Sequence, residues 1–200
     1  MLSFLKPSLA AEKINRLNNK TIIGIYALLG IAILFFHAHT IHLGKVIPVG
    51  YIFIFSLLIG PFIGNLSGWI ASRLYFALSN NFFLLDEGMN WQDVWKTMAF
   101  SNIPLIFAGL LIVIQYFIYG DIVFTKIDIG KYAQTSMLFY YLIEMVKIGL
   151  LVWAFIFSIC VLSNKLNITI VQALTTNFVS VLVIYGLGRI LLFIIVKILT

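Results

Sequence analysis

The stretch SLLIGPFIGNLSGWIAS, residues 56–72, places a small residue at every fourth position: Ser56, Gly60, Gly64, Gly68 and Ser72. Between helices in lipid there is little hydrophobic gain, so association relies on close van der Waals approach, and small residues permit it. A step of four overshoots one helical turn by about 40°. The groove therefore winds round its helix and suits a neighbour crossing at a right-handed angle. Pro61 removes one backbone donor directly behind Gly60 and predicts a bend there. The run that holds the stripe, from Pro48 to Leu78 within the span 46–78, would measure about 45 Å as a helix. That exceeds a hydrocarbon core of about 30 Å, so the helix must tilt, bend or project.

Working outward, 62% of the 200 residues are hydrophobic and the mean hydropathy is +1.08, beyond what a soluble surface tolerates. The thirteen basic and seven acidic residues lie mostly between apolar runs of membrane-crossing length. The expected fold is all-α, an integral membrane helical bundle with five transmembrane spans at approximately 21–37, 46–78, 102–119, 136–162 and 169–197. These form one polytopic domain, 21–200, after a cytoplasmic segment, 1–20, in which Leu2, Leu5, Leu9, Ile14 and Leu17 predict an amphipathic helix. The charged part of that segment is too long, and the run after it too long, for a cleaved signal peptide, so the first span is expected to remain. It should finish in a His-containing turn at 37–45. Asn90 with Asp93 forms a capping-box pattern that predicts an interfacial helix ahead of span three, with Trp91, Trp95 and Met98 on one face.

The net charge of +6 is scattered, which argues against nucleic acid as a partner. Its one cluster, Lys6, Lys13, Arg16 and Lys20, diluted by Glu12, precedes the first span and suits anionic headgroups. With the N-terminus inside, Lys6, Lys13, Arg16, Lys20, Arg73, Lys96 and Lys165 fall on the cytoplasmic side, against Lys45, Lys126, Lys131 and Lys197 outside. This bias predicts a cytoplasmic N-terminus and an external C-terminus. Cys160 is the single cysteine and allows no intrachain disulfide.

Glu144 and Lys147 stand three apart in span four, and Arg189 lies in span five. Ionisable groups at such depth face a partner or a water-filled cavity. Matched depth predicts that Glu144 pairs with Arg189, either as a clasp between spans or as the wall of a polar pathway. His37, His39 and His42 could ligate a metal only if they converged and gained a further ligand. An interfacial turn is the expected reading, with no metal and no cofactor. Trp91, Trp95, Tyr119, Tyr132, Tyr140 and Tyr141 fit aromatic belts, and Gly186 with Gly188 could approach the stripe. No zincin, nucleophile-elbow or phosphate-loop motif is present, and a non-enzyme is expected.

Several short motifs occur in a characteristic order: Lys6-Pro7-Ser8, Gly60-Pro61-Phe62, Gly88 ahead of Trp91, Ser101-Asn102-Ile103-Pro104, Leu151-Val152-Trp153, and the turn Asn164-Lys165. Nearly the whole chain thereby resembles the Yip-domain family of polytopic membrane proteins. Where eukaryotic members carry Asp-Leu-x-Gly-Pro, this chain has Leu57-Leu58-Ile59-Gly60-Pro61, and its N-terminal region is short, which is closer to a prokaryotic Yip-like member of the cell membrane. The resemblance implies an accessory subunit of an ABC-type exporter or a factor in envelope defence, and supplies no catalytic residues.

The function expected from these features is that of a non-enzymatic membrane scaffold or accessory protein. Its partners would be the lipid bilayer and other membrane proteins or a second copy, with the glycine stripe and the Trp91 helix as contact surfaces. The alternative is a small transporter or channel component in which Glu144, Lys147 and Arg189 line a polar pathway.

Overall fold

The computed structural model describes residue 14 and residues 16–83, 90–125, 134–180 and 182–183. Among them every regular element is a helix: α1 Asn19–Thr40, α2 Val49–Phe83, α3 Trp91–Ser101, α4 Ile103–Tyr119 and α5 Gln134–Leu166. Single 3-10 turns occupy Leu43–Lys45 and Gly120–Phe124, and the chain is helical again at 170–180.

Asn18 starts α1 by accepting hydrogen bonds from the Thr21 amide (2.7 Å) and hydroxyl (2.8 Å), which satisfies a donor that the first turn leaves unpaired. The helix runs on through His37 and His39, so the turn expected at 37–45 begins only after Thr40. The Ile41 and His42 amides close the ladder on the His37 and His39 carbonyls, and His42 then reverses the chain at φ 54°.

Helix α2 is one uninterrupted helix of 35 residues with Pro61 inside it. Asn65 lies one turn beyond the proline, and its amide donates to the Pro61 carbonyl (2.8 Å) and to the Ile23 carbonyl of α1 (3.3 Å). Ile52, Ser56, Gly60, Gly64, Gly68 and Ser72 are all buried, one in every four residues. The three glycines press on α1. A Cβ on Gly60 would meet the Ile31 backbone, one on Gly64 would strike the Tyr26 carbonyl, and one on Gly68 would enter the Tyr26 ring. The groove is filled by this chain's own first helix. On another side of α1, Gly109 of α4 lies against Ala32, so α1 is the central post of the bundle.

Helix α3 carries the expected capping box, with Asn90 accepting from the Gln92 and Asp93 amides and Asp93 accepting from the Asn90 amide. It packs inward: Val94 is buried with Tyr75, Leu162 and Leu166, and Ala99 with Ile22, Tyr26 and Leu29. Of the segment 1–20, Ile14 is buried with Phe100, Phe157 and Val161; residues 1–13 lie outside the described ones. Past α5, the buried Tyr75 hydroxyl donates to the Ala173 carbonyl (3.2 Å) and holds the start of the last helical stretch.

Among the described residues four helical segments are long and apolar enough to cross a membrane, Asn19–Thr40, Val49–Phe82, Trp91–Phe124 and Met137–Leu166, where five spans were expected over the chain. The expected span 169–197 is helical at 170–180 and lies outside the described residues beyond 183. Arg73, Asp93 and Lys165 gather at one end of the bundle, where Asp93 and Lys165 lie 3.9 Å apart. At the other end, Phe35, Ala38, Val49, Ile52, Ile112, Val123, Phe124 and Tyr140 form the largest apolar cluster.

Candidate functional site

Beside that apolar cluster, four polar side chains from three helices meet. His39 comes from the last turn of α1, Gln115 from the last turns of α4, and Glu144 with Lys147 from one face of α5. The spacing of three brings Glu144 and Lys147 side by side on a helix, and Lys147 Nζ sits 2.6 Å from Glu144 Oε1. The same ammonium donates to Gln115 Oε1 at 2.7 Å and lies 3.3 Å from His39 Nε2. Gln115 Nε2 in turn donates to Glu144 Oε1 at 3.1 Å.

An ammonium has three protons and no lone pair, and here it has three acceptors. Lys147 is 1% exposed, so an unpaired charge at this position would carry a large desolvation cost. The amide of Gln115 serves both charges at once, its oxygen facing the cation and its nitrogen the anion.

His39 ties the cluster to the polypeptide that covers it. Its Nδ1 lies 2.6 Å from the Val123 carbonyl, which can only accept, so the ring hydrogen sits on Nδ1. In the neutral ring Nε2 then offers its lone pair to Lys147. A second proton would turn Nε2 into a donor toward Glu144 Oε1, also 3.3 Å away. The ring thus stands between the cation and the anion, 3.3 Å from each. Val123 belongs to the Gly120–Phe124 turn, which is folded back so that Val123 and Phe124 are fully buried. Phe35, Phe53 and Tyr116 surround the Phe124 ring with aromatic contacts.

Away from the cluster, a groove of about 330 Å³ opens between α1, α4 and α5, lined by Ala32, Ile33, Phe36, His37, Thr40, Leu105 and Leu151. It is mostly apolar. His37 and Thr40 stand at its rim, and both are exposed.

The expected site residues are distributed as follows. Glu144 and Lys147 belong to the cluster, while Arg189, the expected partner of Glu144, lies outside the described residues. His37, His39 and His42 do not converge: among the described residues no three His, Cys, Asp or Glu side chains are placed to hold a metal. On a helix, His37 and His39 point about 200° apart, and only His39 faces inward. Trp91 and Trp95 both contact this chain. Trp95 stacks on Tyr26 with centroids 5.7 Å apart and its carbonyl accepts from the Tyr26 hydroxyl at 2.9 Å, while Trp91 covers Arg73. Gly186 and Gly188 are outside the described residues. Gln115 escaped the sequence reading although its signal was plain, a lone amide inside the apolar run 103–119.

No family model, no curated protein and no solved structure matches the chain. Function is therefore read from what its own residues can do.

Proposed function

We propose that the chain is a multi-pass membrane protein acting as a non-enzymatic scaffold or accessory factor, in keeping with its Yip-like order of motifs. The observation that carries this reading is the saturated ammonium of Lys147. Its three protons are spent on Glu144, Gln115 and His39, leaving none for a passing substrate. In this reading the buried charges fasten α1, α4 and α5 together, and the outer apolar faces of α2 and α5 meet lipid or partner helices. The end bearing Arg73, Lys96 and Lys165 faces the cytoplasm by the positive-inside rule, and a fifth span in 169–197 returns the C-terminus to the outside. Contact with an ABC-type exporter is the partner that the family resemblance suggests.

A pathway component is the second reading, favoured by one observation: the Glu144 side chain retains 26% exposure beside the cluster. Two measurements on the full chain separate them. Recovery from native membranes in mild detergent should bring down a stoichiometric membrane partner, and proteoliposomes of the chain alone should show no ion or proton flux above empty vesicles. Flux that disappears in Glu144→Gln, with the fold intact, would establish the pathway instead.

A further inference from the structure

Arg73 is the single charged residue of α2, and its guanidinium lies against two indoles. Its central carbon lies 4.4 Å from the Trp69 ring centre and 4.6 Å from that of Trp91. Trp69 precedes it by one turn on α2, and Trp91 is the first residue of α3, so two separate helices build the clamp. Guanidinium is planar, and its five N–H donors all point outward in that plane. Rings that meet the face of a guanidinium leave its donor edge as the free surface. Among the described residues that edge has no carboxylate and no hydrogen-bond acceptor, and Arg73 is exposed.

Depth decides what meets this edge. Arg73 lies about 36 Å along α2 from Val49 at the helical rise of 1.5 Å. If α2 begins at one membrane surface, that distance carries Arg73 past a hydrocarbon core of about 30 Å and into the headgroup layer, within the roughly 40–45 Å of the whole bilayer. Trp69, 44% exposed, then sits at the boundary where indoles concentrate. Nearby Lys165 lies 3.9 Å from Asp93, whereas among the described residues no carboxylate stands within ion-pair distance of Arg73.

We infer that Arg73, clamped by Trp69 and Trp91, is a binding site for the phosphate of an anionic phospholipid in the cytoplasmic leaflet. Two in-plane N–H groups match two phosphate oxygens in the paired geometry that guanidinium favours. The indoles fix the fork before the lipid arrives and cover the acyl side of the headgroup. Trp91 being part of the clamp, an occupied site also fastens α3 to α2. This inference rests on the membrane reading above.

The test uses the full chain with Trp153→Phe, reconstituted in bilayer discs of phosphatidylcholine and phosphatidylglycerol, with bromine on the acyl chains of one lipid or the other. Tryptophan quenching should show phosphatidylglycerol enriched near the clamp by clearly more than the roughly fivefold factor that one cation at an anionic surface supplies. Arg73→Lys, which keeps the charge and loses the fork, should fall back to about that factor, and Arg73→Gln should show no enrichment, with unchanged helix content. Equal quenching by the two lipids, or enrichment that persists in Arg73→Gln, would overturn the lipid site while leaving the membrane reading intact. Enrichment that appears only after Asp86→Asn and Glu87→Gln assigns the fork to an internal carboxylate, and removal of the enrichment by millimolar inorganic phosphate assigns it to the soluble ion; either overturns the proposal. Absence of quenching by both lipids would overturn the membrane reading itself.

Discussion

The backbones of Gly30 and Gly64 lie against each other so closely that a methyl group on either would overlap the main chain of the other. Two helices can meet at this distance only where both lack a side chain, and this contact sets how far α1 and α2 stand apart along their whole length.

Gly64→Leu should therefore damage the fold itself and not merely an association. A leucine here has to displace backbone, so the loss should reach about 3 kcal/mol or more, beyond ordinary overpacking. Thermal unfolding in detergent measures it. Gly24→Ala is the control, because nothing lies near its Cβ position, and it should leave the transition unchanged or slightly raised.

Lys147→Met removes the cation from a buried pair and strands Glu144, a change worth about 3–5 kcal/mol of stability. The double variant Glu144→Gln with Lys147→Met should be more stable than Lys147→Met alone. If the double variant merely sums the two single losses, the residues do not act as a pair.

Gln115→Leu takes away an acceptor from Lys147 and a donor from Glu144 without touching either charge. The expected loss is about 1–2 kcal/mol, smaller than for Lys147→Met. A loss as large as that of Lys147→Met would mean that the amide, not the ion pair, organises the cluster.

Tyr26→Phe deletes one hydroxyl, the donor to the Trp95 carbonyl, and keeps the stacked ring. Stability should fall by about 1 kcal/mol, with little shift in Trp95 emission. Tyr26→Leu should lower stability further and shift that emission, since the ring also covers Gly68.

The long helices were legible in the sequence because apolar length and small-residue spacing are local properties. The row from Ser56 to Ser72 could be read from period alone, and so could the Asn90 cap. The helix continuing past His37 was not legible, because the ring of His39 finds its partners 84 and 108 residues away. Period does indicate that His37 and His39 diverge on a helix, but it does not say which one faces the core. The helix continues through Pro61, and the reach of Asn65 from this helix to the Ile23 carbonyl of α1 had no local signature. Gln115 was overlooked for a different reason: being neutral, it drew no attention beside Glu144 and Lys147, although buried amides need hydrogen-bond partners too.

The bond from His39 to the carbonyl of Val123 places the covering turn in mechanical series with the charged cluster. A pull on the segment that leaves Phe124 is transmitted through one peptide group to one imidazole ring, and from there to Lys147, without any helix having to slide. The fourth long helix thus feels the connection leading into it twice, once through the covalent chain and once through a shortcut made of four polar atoms. Lengthening or stiffening the connection between 125 and 134 would act at a distance on how firmly α1 holds α5.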